Sequence, residues 1–196
     1  MKILVISQSY WPEQSGYLYG EIVERFISDG NDVDVITYNI PSDKKTDLDV
    51  NKKNPYIIRI KTINKFQYSR FGKFINTIIF GLGIIFICLK KKRYDKIVCA
   101  CSHLLFIGLI TSIISKIYNT KFIYSIGDLH PESGLASGDF KNKSLVKILK
   151  YLDTYACKVS QYIVVLSDDM VNSLRNRGIL ESNKIIKIPN VPHNYL

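Results

Sequence analysis

Short apolar runs and longer amphipathic stretches alternate along the chain. Residues 2–6 form a continuous apolar run, the pattern of a strand buried on both faces. Residues 17–28 then place Leu18, Ile22, Phe26 and Ile27 at helical spacing, and Gly30 stands where a C-terminal cap belongs. A second strand over 32–38 completes a βαβ unit, whose parallel strands imply a right-handed crossover. Residues 40–54 are charged and polar, fenced by Pro41 and Pro55, and predict an exposed, mobile loop. Further strands are predicted over 56–61, 95–100, 120–126, 161–166 and 184–188. Helices are predicted over 71–89, over 106–118, and from Asn142 or Ser144 to residue 159. In the last of these, Leu145, Ile148, Leu149, Leu152, Tyr155, Ala156 and Val159 supply the apolar positions. A short helix capped by Ser167 or Asp168 ends near Gly178. Strict alternation without internal repeats predicts an α/β fold: a doubly wound, mostly parallel Rossmann-like sheet of about seven strands with helices on both faces. That is a fold class, and a fold class carries no activity.

One helix stands apart. From Ile78 to Leu89 it has no charge, and Lys90, Lys91, Lys92 and Arg93 follow at once. The uncharged run falls short of the ~20 residues needed to span a bilayer. It reads as a buried crossover helix whose basic last turn suits the helix dipole. The second alternative is a helix lying in a membrane interface, with Lys73, Lys90, Lys91, Lys92 and Arg93 against anionic headgroups. A true span is the third alternative.

Composition narrows the class. The chain has 196 residues, 46% hydrophobic and 22% charged, enough for one sizeable globular domain or two small ones. A net charge of +10 favours an anionic partner. The four cysteines form no CxxC pair, and the three histidines lack metal-ligand spacing, so neither a disulfide framework nor a metal site is expected. The apolar run at the N-terminus is too short for a secretory signal, which leads to the expectation of a cytoplasmic protein with reduced thiols.

Motifs then exclude several chemistries. The loop after the first strand, Ser7 to Gly16, has no GxGxxG, and no GxxxxGK[ST] occurs, which argues against dinucleotide and P-loop sites. No GxSxG elbow is present. No nucleic-acid-binding motif accompanies the charge, so no nucleic-acid partner is expected. The richest chemistry lies in residues 125–137, just past the carboxyl end of the predicted fifth strand, where open α/β sheets place ligands. Asp128, His130 and Glu132 fall together there, with Pro131 fixing the turn. The alternative is a solvated turn organised by an Asx-type hydrogen bond from Asp128.

Four motifs in order carry a resemblance: Tyr10-Trp11-Pro12-Glu13, Asp128-Leu129-His130-Pro131-Glu132-Ser133, Ile163-Val164-Val165-Leu166-Ser167, and Ile185-Ile186-Lys187-Ile188-Pro189-Asn190. Together they resemble the N-terminal, acceptor-side domain of family 4 retaining glycosyltransferases of GT-B fold. The nearest look is to bacterial amino-sugar transferases of O-antigen and capsule biosynthesis. The resemblance implies a Rossmann-like domain over 1–190, the start of an interdomain linker at 191–196, and a donor-binding domain that is absent from this chain. It implies that Asp128 orients or deprotonates the acceptor hydroxyl, with His130 and Glu132 beside it as catalytic candidates. Tyr10, Glu13, Ser15, Gly16, Ser102, His103 and Ser167 become substrate-binding candidates, Gly16 by letting backbone approach a diphosphate. The implied partners are a nucleotide sugar, a polyprenyl-diphosphate-linked acceptor, the inner face of the cytoplasmic membrane and, if the enzyme is split, a separate chain carrying the donor-binding domain. No cofactor and no metal are implied. This sequence departs from the family at Gly127, where many members have His or Arg, and at His130, where many have Trp. A non-catalytic, membrane-associated subunit or scaffold for a partner transferase is the alternative function.

Overall fold

The apolar runs form one sheet in which every pair of neighbouring strands is parallel. In chain order the strands are β1 (Lys2–Ser7), β2 (Asp32–Tyr38), β3 (Tyr56–Ile60), β4 (Lys96–Ala100), β5 (Lys121–Ile126), β6 (Tyr162–Val165) and β7 (Ile185–Lys187). In space they run β3-β2-β1-β4-β5-β6-β7. The structure, a computed structural model, describes residues 1–11, 16–38, 55–63, 69–90, 93–100, 105–136, 138, 142–181 and 183–189. The helices are α1 (Tyr17–Ser28), α2 (Arg70–Lys90), α3 (Leu105–Tyr118), α4 (Glu132–Ala136), α5 (Lys143–Val159) and α6 (Asp168–Asn176).

From β1 the chain steps one way to β2 and β3, then crosses back over β1 to β4 and steps the other way to β7. Right-handed connections running in opposite directions put their helices on opposite faces. The packing shows this. On one face Ile3, Val5, Val33, Val35 and Val98 meet Val23 of α1. On the other, Leu4, Ile6, Ile97, Phe122, Tyr124 and Ile163 meet Phe80 and Ile84 of α2, Ile107 of α3, Ala156 of α5 and Leu174 of α6. Central strands buried on both faces are what an unbroken apolar run encodes.

Two helices sit differently from the expected stripes. Among the described side chains of α1, Val23 is the fully buried one, while Leu18 lies 41% exposed. In α5 the inward face is Val146, Leu149, Asp153, Ala156 and Cys157. Leu145 and Ile148, both expected in the core, are 44% and 57% exposed. The reason is Asp153: its carboxylate has buried partners, and turning it inward carries the outer edge of the apolar stripe to the surface. Asn142 caps α5, its side chain accepting from the amides of Ser144 (2.9 Å) and Leu145 (3.2 Å). Ser167 caps α6 by accepting from the Met170 amide (3.4 Å). Gly30 ends α1 at φ +79°, as its position in the sequence predicts. The short helix α4 has no counterpart in the sequence pattern, because a single turn has no period to read. The loop expected over 40–54 lies outside the described residues. Cys88, Cys99 and Cys157 are free and buried, and burial pushes the Cys88 thiol up to about 11.

Candidate functional site

Because every strand points the same way, all carboxyl ends meet at one edge of the sheet. The order reverses between β1 and β4, and a crevice opens at such a switch point. Among the described residues, part of the loop after β1, the loop after β5 and the short β6–α6 connection border this edge.

The loop after β1 is held by its neighbours. The Ser7 hydroxyl donates to the Ser9 carbonyl (2.6 Å), and the Thr37 hydroxyl of β2 donates to the Gln8 carbonyl (3.2 Å). Arg59 of β3 donates from Nη2 to the Trp11 carbonyl (2.8 Å). Tyr10 is 4% exposed and packs in the core beneath α1, so its ring is a structural anchor in this arrangement. Gly16 opens α1, and a Cβ there would lie 2.4 Å from the Tyr10 carbonyl carbon and 2.6 Å from the Trp11 nitrogen. The close approach it permits is of the chain to itself, which accounts for the glycine without a diphosphate. Glu13 and Ser15 of this loop, Ser102 and His103 of the loop after β4, and Lys91 and Lys92 lie outside the described residues.

The loop after β5 gathers the chemistry. Asp128, its side chain 41% exposed, has Oδ2 3.7 Å from His130 Nε2. On the other side of the ring, His130 Nδ1 lies 3.2 Å from the Ser133 hydroxyl. A carboxylate facing one nitrogen and a hydroxyl facing the other fix the ring's orientation. The His130–Pro131 peptide is cis.

Behind this loop lies a polar network that sequence reasoning missed. Arg177 ends α6, and its guanidinium has no solvent exposure. It donates to both carboxylate oxygens of Glu132, to Asp153, and from Nη2 to the His130 carbonyl (3.1 Å). The Tyr124 hydroxyl donates to the other Asp153 oxygen (3.0 Å), and Lys150 Nζ lies 3.1 Å from Glu132 Oε1. Burial pushes the Glu132 carboxyl up, but the hydrogen bonds and charge of Arg177, with help from Lys150, outweigh it and hold it below its ordinary value. Burial tends to lower the Arg177 pKa, and its two carboxylates more than offset that, so the guanidinium stays charged. Burial drives the Asp153 carboxyl upward against the pull of Arg177 and Tyr124. Glu132 is thus held by Arg177 and Lys150, and the same guanidinium holds the His130 carbonyl, which ties the Asp128–His130 segment to the end of α6. One signal for this was present in the sequence: a lone acid at Asp153, between Leu149 and Ala156 on an apolar helix face, calls for a buried cation.

Ser167 sits at the carboxyl end of β6, exposed, with its hydroxyl serving as the α6 cap. Lys73 and Lys90 are exposed near opposite ends of α2, and Arg93 is exposed just before β4. They flank a helix and form no single cluster. Among the described residues, no group of three or more His, Cys, Asp or Glu side chains is placed to hold a metal ion.

The chain matches solved structures along nearly its whole length. Anabaena HepE, solved in complex with UDP, aligns with 97% of this chain and 44% of its own, at 14% identity and a TM-score of 0.59. Sucrose-phosphate synthase of Thermosynechococcus elongatus aligns with 96% of this chain and 48% of its own, at 15% identity and a TM-score of 0.67. Arabidopsis thaliana UGT89C1, solved with UDP, aligns with 98% of this chain and 53% of its own, at 14% identity and a TM-score of 0.61. The chain has the fold of one half of a GT-B glycosyltransferase. It spans about half the length of each structure it matches. No family model matches the sequence, and no curated protein does. Within the GT-B half-fold, the Asp128–His130 loop occupies the carboxyl edge of the sheet, and the Arg177 network forms its floor.

Proposed function

We propose that this chain is the acceptor-binding half of a glycosyltransferase, the N-terminal half of a GT-B pair, acting in surface polysaccharide biosynthesis. The observation that carries the reading is the Asp128–His130 pair. It is a partly exposed carboxylate beside an imidazole, on a clamped loop at the carboxyl edge of a GT-B half-fold. The match to a HepE structure holding UDP supports a nucleotide sugar as the donor. Donor binding falls to a second Rossmann-like half, in the same polypeptide or in a partner chain. The acceptor is a polyprenyl-diphosphate-linked sugar whose hydroxyl lies at Asp128.

The reaction sets what the residues must do. The acceptor oxygen forms a bond to the anomeric carbon, the bond from that carbon to the diphosphate breaks, and the hydroxyl proton must leave. Asp128 accepts that proton or its hydrogen bond, and His130 steadies the carboxylate. Arg177 and Glu132 keep the pair in register and touch no substrate. Stabilising the leaving diphosphate falls to the donor half.

The test is sugar transfer from radiolabelled UDP-sugars to lipid extract, using the native assembly isolated from its own membranes. Asp128→Asn should lower kcat by about 10²–10⁴ and leave KM for the nucleotide sugar unchanged. Transfer at the wild-type rate by Asp128→Asn would overturn the assignment and favour a non-catalytic scaffold.

A further inference from the structure

The helices α2, α3 and α5 lie side by side on one face of the sheet, and their outer surface is apolar and basic without an exposed acid. Along α2, Phe71, Phe74, Ile78, Leu82, Phe86 and Leu89 are all 43–72% exposed. They form one stripe about 27 Å long at 1.5 Å per residue. The opposite side of the same helix is in the core, through Phe80, Ile84 and Cys88. The helix is long and apolar enough to cross a bilayer, but with that side packed on the sheet it lies along a surface. The apolar surface continues onto α3 at Ile113 and Ile117, and onto α5 at Leu145, Ile148 and Tyr151. A hydrogen bond from Lys116 to the Tyr155 hydroxyl (3.2 Å) joins the outer edges of α3 and α5. Between α2 and α3 a groove of about 210 Å³ opens on this face, lined by Thr77, Ile78, Leu82, Phe106, Leu109 and Ile110. Its one polar side chain, Thr77, donates to the Lys73 carbonyl (2.9 Å).

The charge is one-sided. The three helices contain a single carboxylate, Asp153, which is buried against Arg177. Lys73, Lys90, Lys116, Lys143 and Lys147 are exposed. Across the sheet, α1 carries exposed Glu21 and Glu24.

We propose that the outer face of the α2–α3–α5 layer is a docking surface for an anionic lipid bilayer, with all three helices lying in the headgroup–acyl boundary. Charge decides between occupants. A symmetric dimer through this face would set lysine against lysine with no carboxylate on either side. An anionic bilayer answers both features at once, apolar side chains entering the acyl boundary and cations meeting headgroups. The α2–α3 groove then receives part of an acyl chain. Both α2 and α3 begin at the carboxyl edge of the sheet, so the Asp128 loop would open at headgroup level. This inference goes beyond the glycosyl-transfer reading and does not depend on it.

The test is co-sedimentation of the full chain with phosphatidylcholine vesicles, with and without about one-third phosphatidylglycerol. Each exposed cation at an anionic surface contributes about fivefold in affinity. Binding should therefore need the anionic lipid and fall steeply with salt. Leu82→Glu on α2 and Ile148→Glu on α5 replace exposed side chains and leave the core intact, as an unchanged melting temperature would confirm. Each should weaken binding at least tenfold. Loss with Leu82→Glu but wild-type binding with Ile148→Glu would overturn the three-helix surface. Equal binding to neutral vesicles would overturn its anionic character. No vesicle binding, with a dimer that Leu82→Glu converts to monomer, would assign the face to a second copy of this chain.

Discussion

Replacing Arg177 with methionine tests the loop clamp most directly. Methionine keeps most of the side-chain length and removes the guanidinium. Asp153, its side chain 4% exposed, would be left with the Tyr124 hydroxyl and no cation. It cannot reach water, so it carries the penalty of a buried, uncompensated charge, about 3–5 kcal/mol. Glu132 is about a third exposed and keeps Lys150 at 3.1 Å, so its added loss is below about 1 kcal/mol. The His130 carbonyl loses one donor, a further ~1 kcal/mol that overlaps the first figure. The expected total is about 4 kcal/mol, a large share of the 5–15 kcal/mol typical of a folded domain. For a chain of this size that is a fall of about 8–16 °C in melting temperature. Urea unfolding followed by circular dichroism reads it as a lower midpoint at unchanged slope. Amide exchange across 128–135 should rise well before the rest of the sheet opens. Adding Asp153→Leu to Arg177→Met removes the stranded charge and should recover at least half of the loss. A loss below about 1 kcal/mol for Arg177→Met, or no recovery in the double variant, would refute the reasoning.

Three further outcomes follow from the same geometry. The lowered Glu132 carboxyl contributes stability that is complete above its ordinary value of 4.5 and lost as pH falls through the lowered one. Urea midpoints of wild type and Glu132→Gln should therefore differ by a constant amount near neutrality and converge on acidification; a gap that widens would contradict this. Gly108→Ala gains about 1 kcal/mol in helix propensity but sets a Cβ 2.6 Å from the buried Tyr124 hydroxyl. It should be destabilising by about 1–2 kcal/mol net, because the ring cannot withdraw without releasing Asp153, and a rise in melting temperature would show that Tyr124 is mobile. Asn142→Ala removes the α5 cap and should cost about 1 kcal/mol by thermal melting, with Asn142→Asp close to wild type.

The sequence by itself determined the alternation of strands and helices, the parallel sheet, and the caps at Asn142, Ser167 and Gly30. These are local, periodic signals: apolar runs for buried strands, and capping residues beside the turns they close. It also marked Asp128, His130 and Glu132 as one loop past β5, because they lie within five residues of each other. Tertiary structure decided what each of them touches. Arg177 reaches Glu132 across 45 positions and Asp153 across 24. No local period records pairings of that span. The same pairing chose which face of α5 turns inward, and so sent Leu145 and Ile148 to the surface. An apolar stripe states that a helix has a buried side; its rotation about its axis is settled by the buried charge that must find its partner.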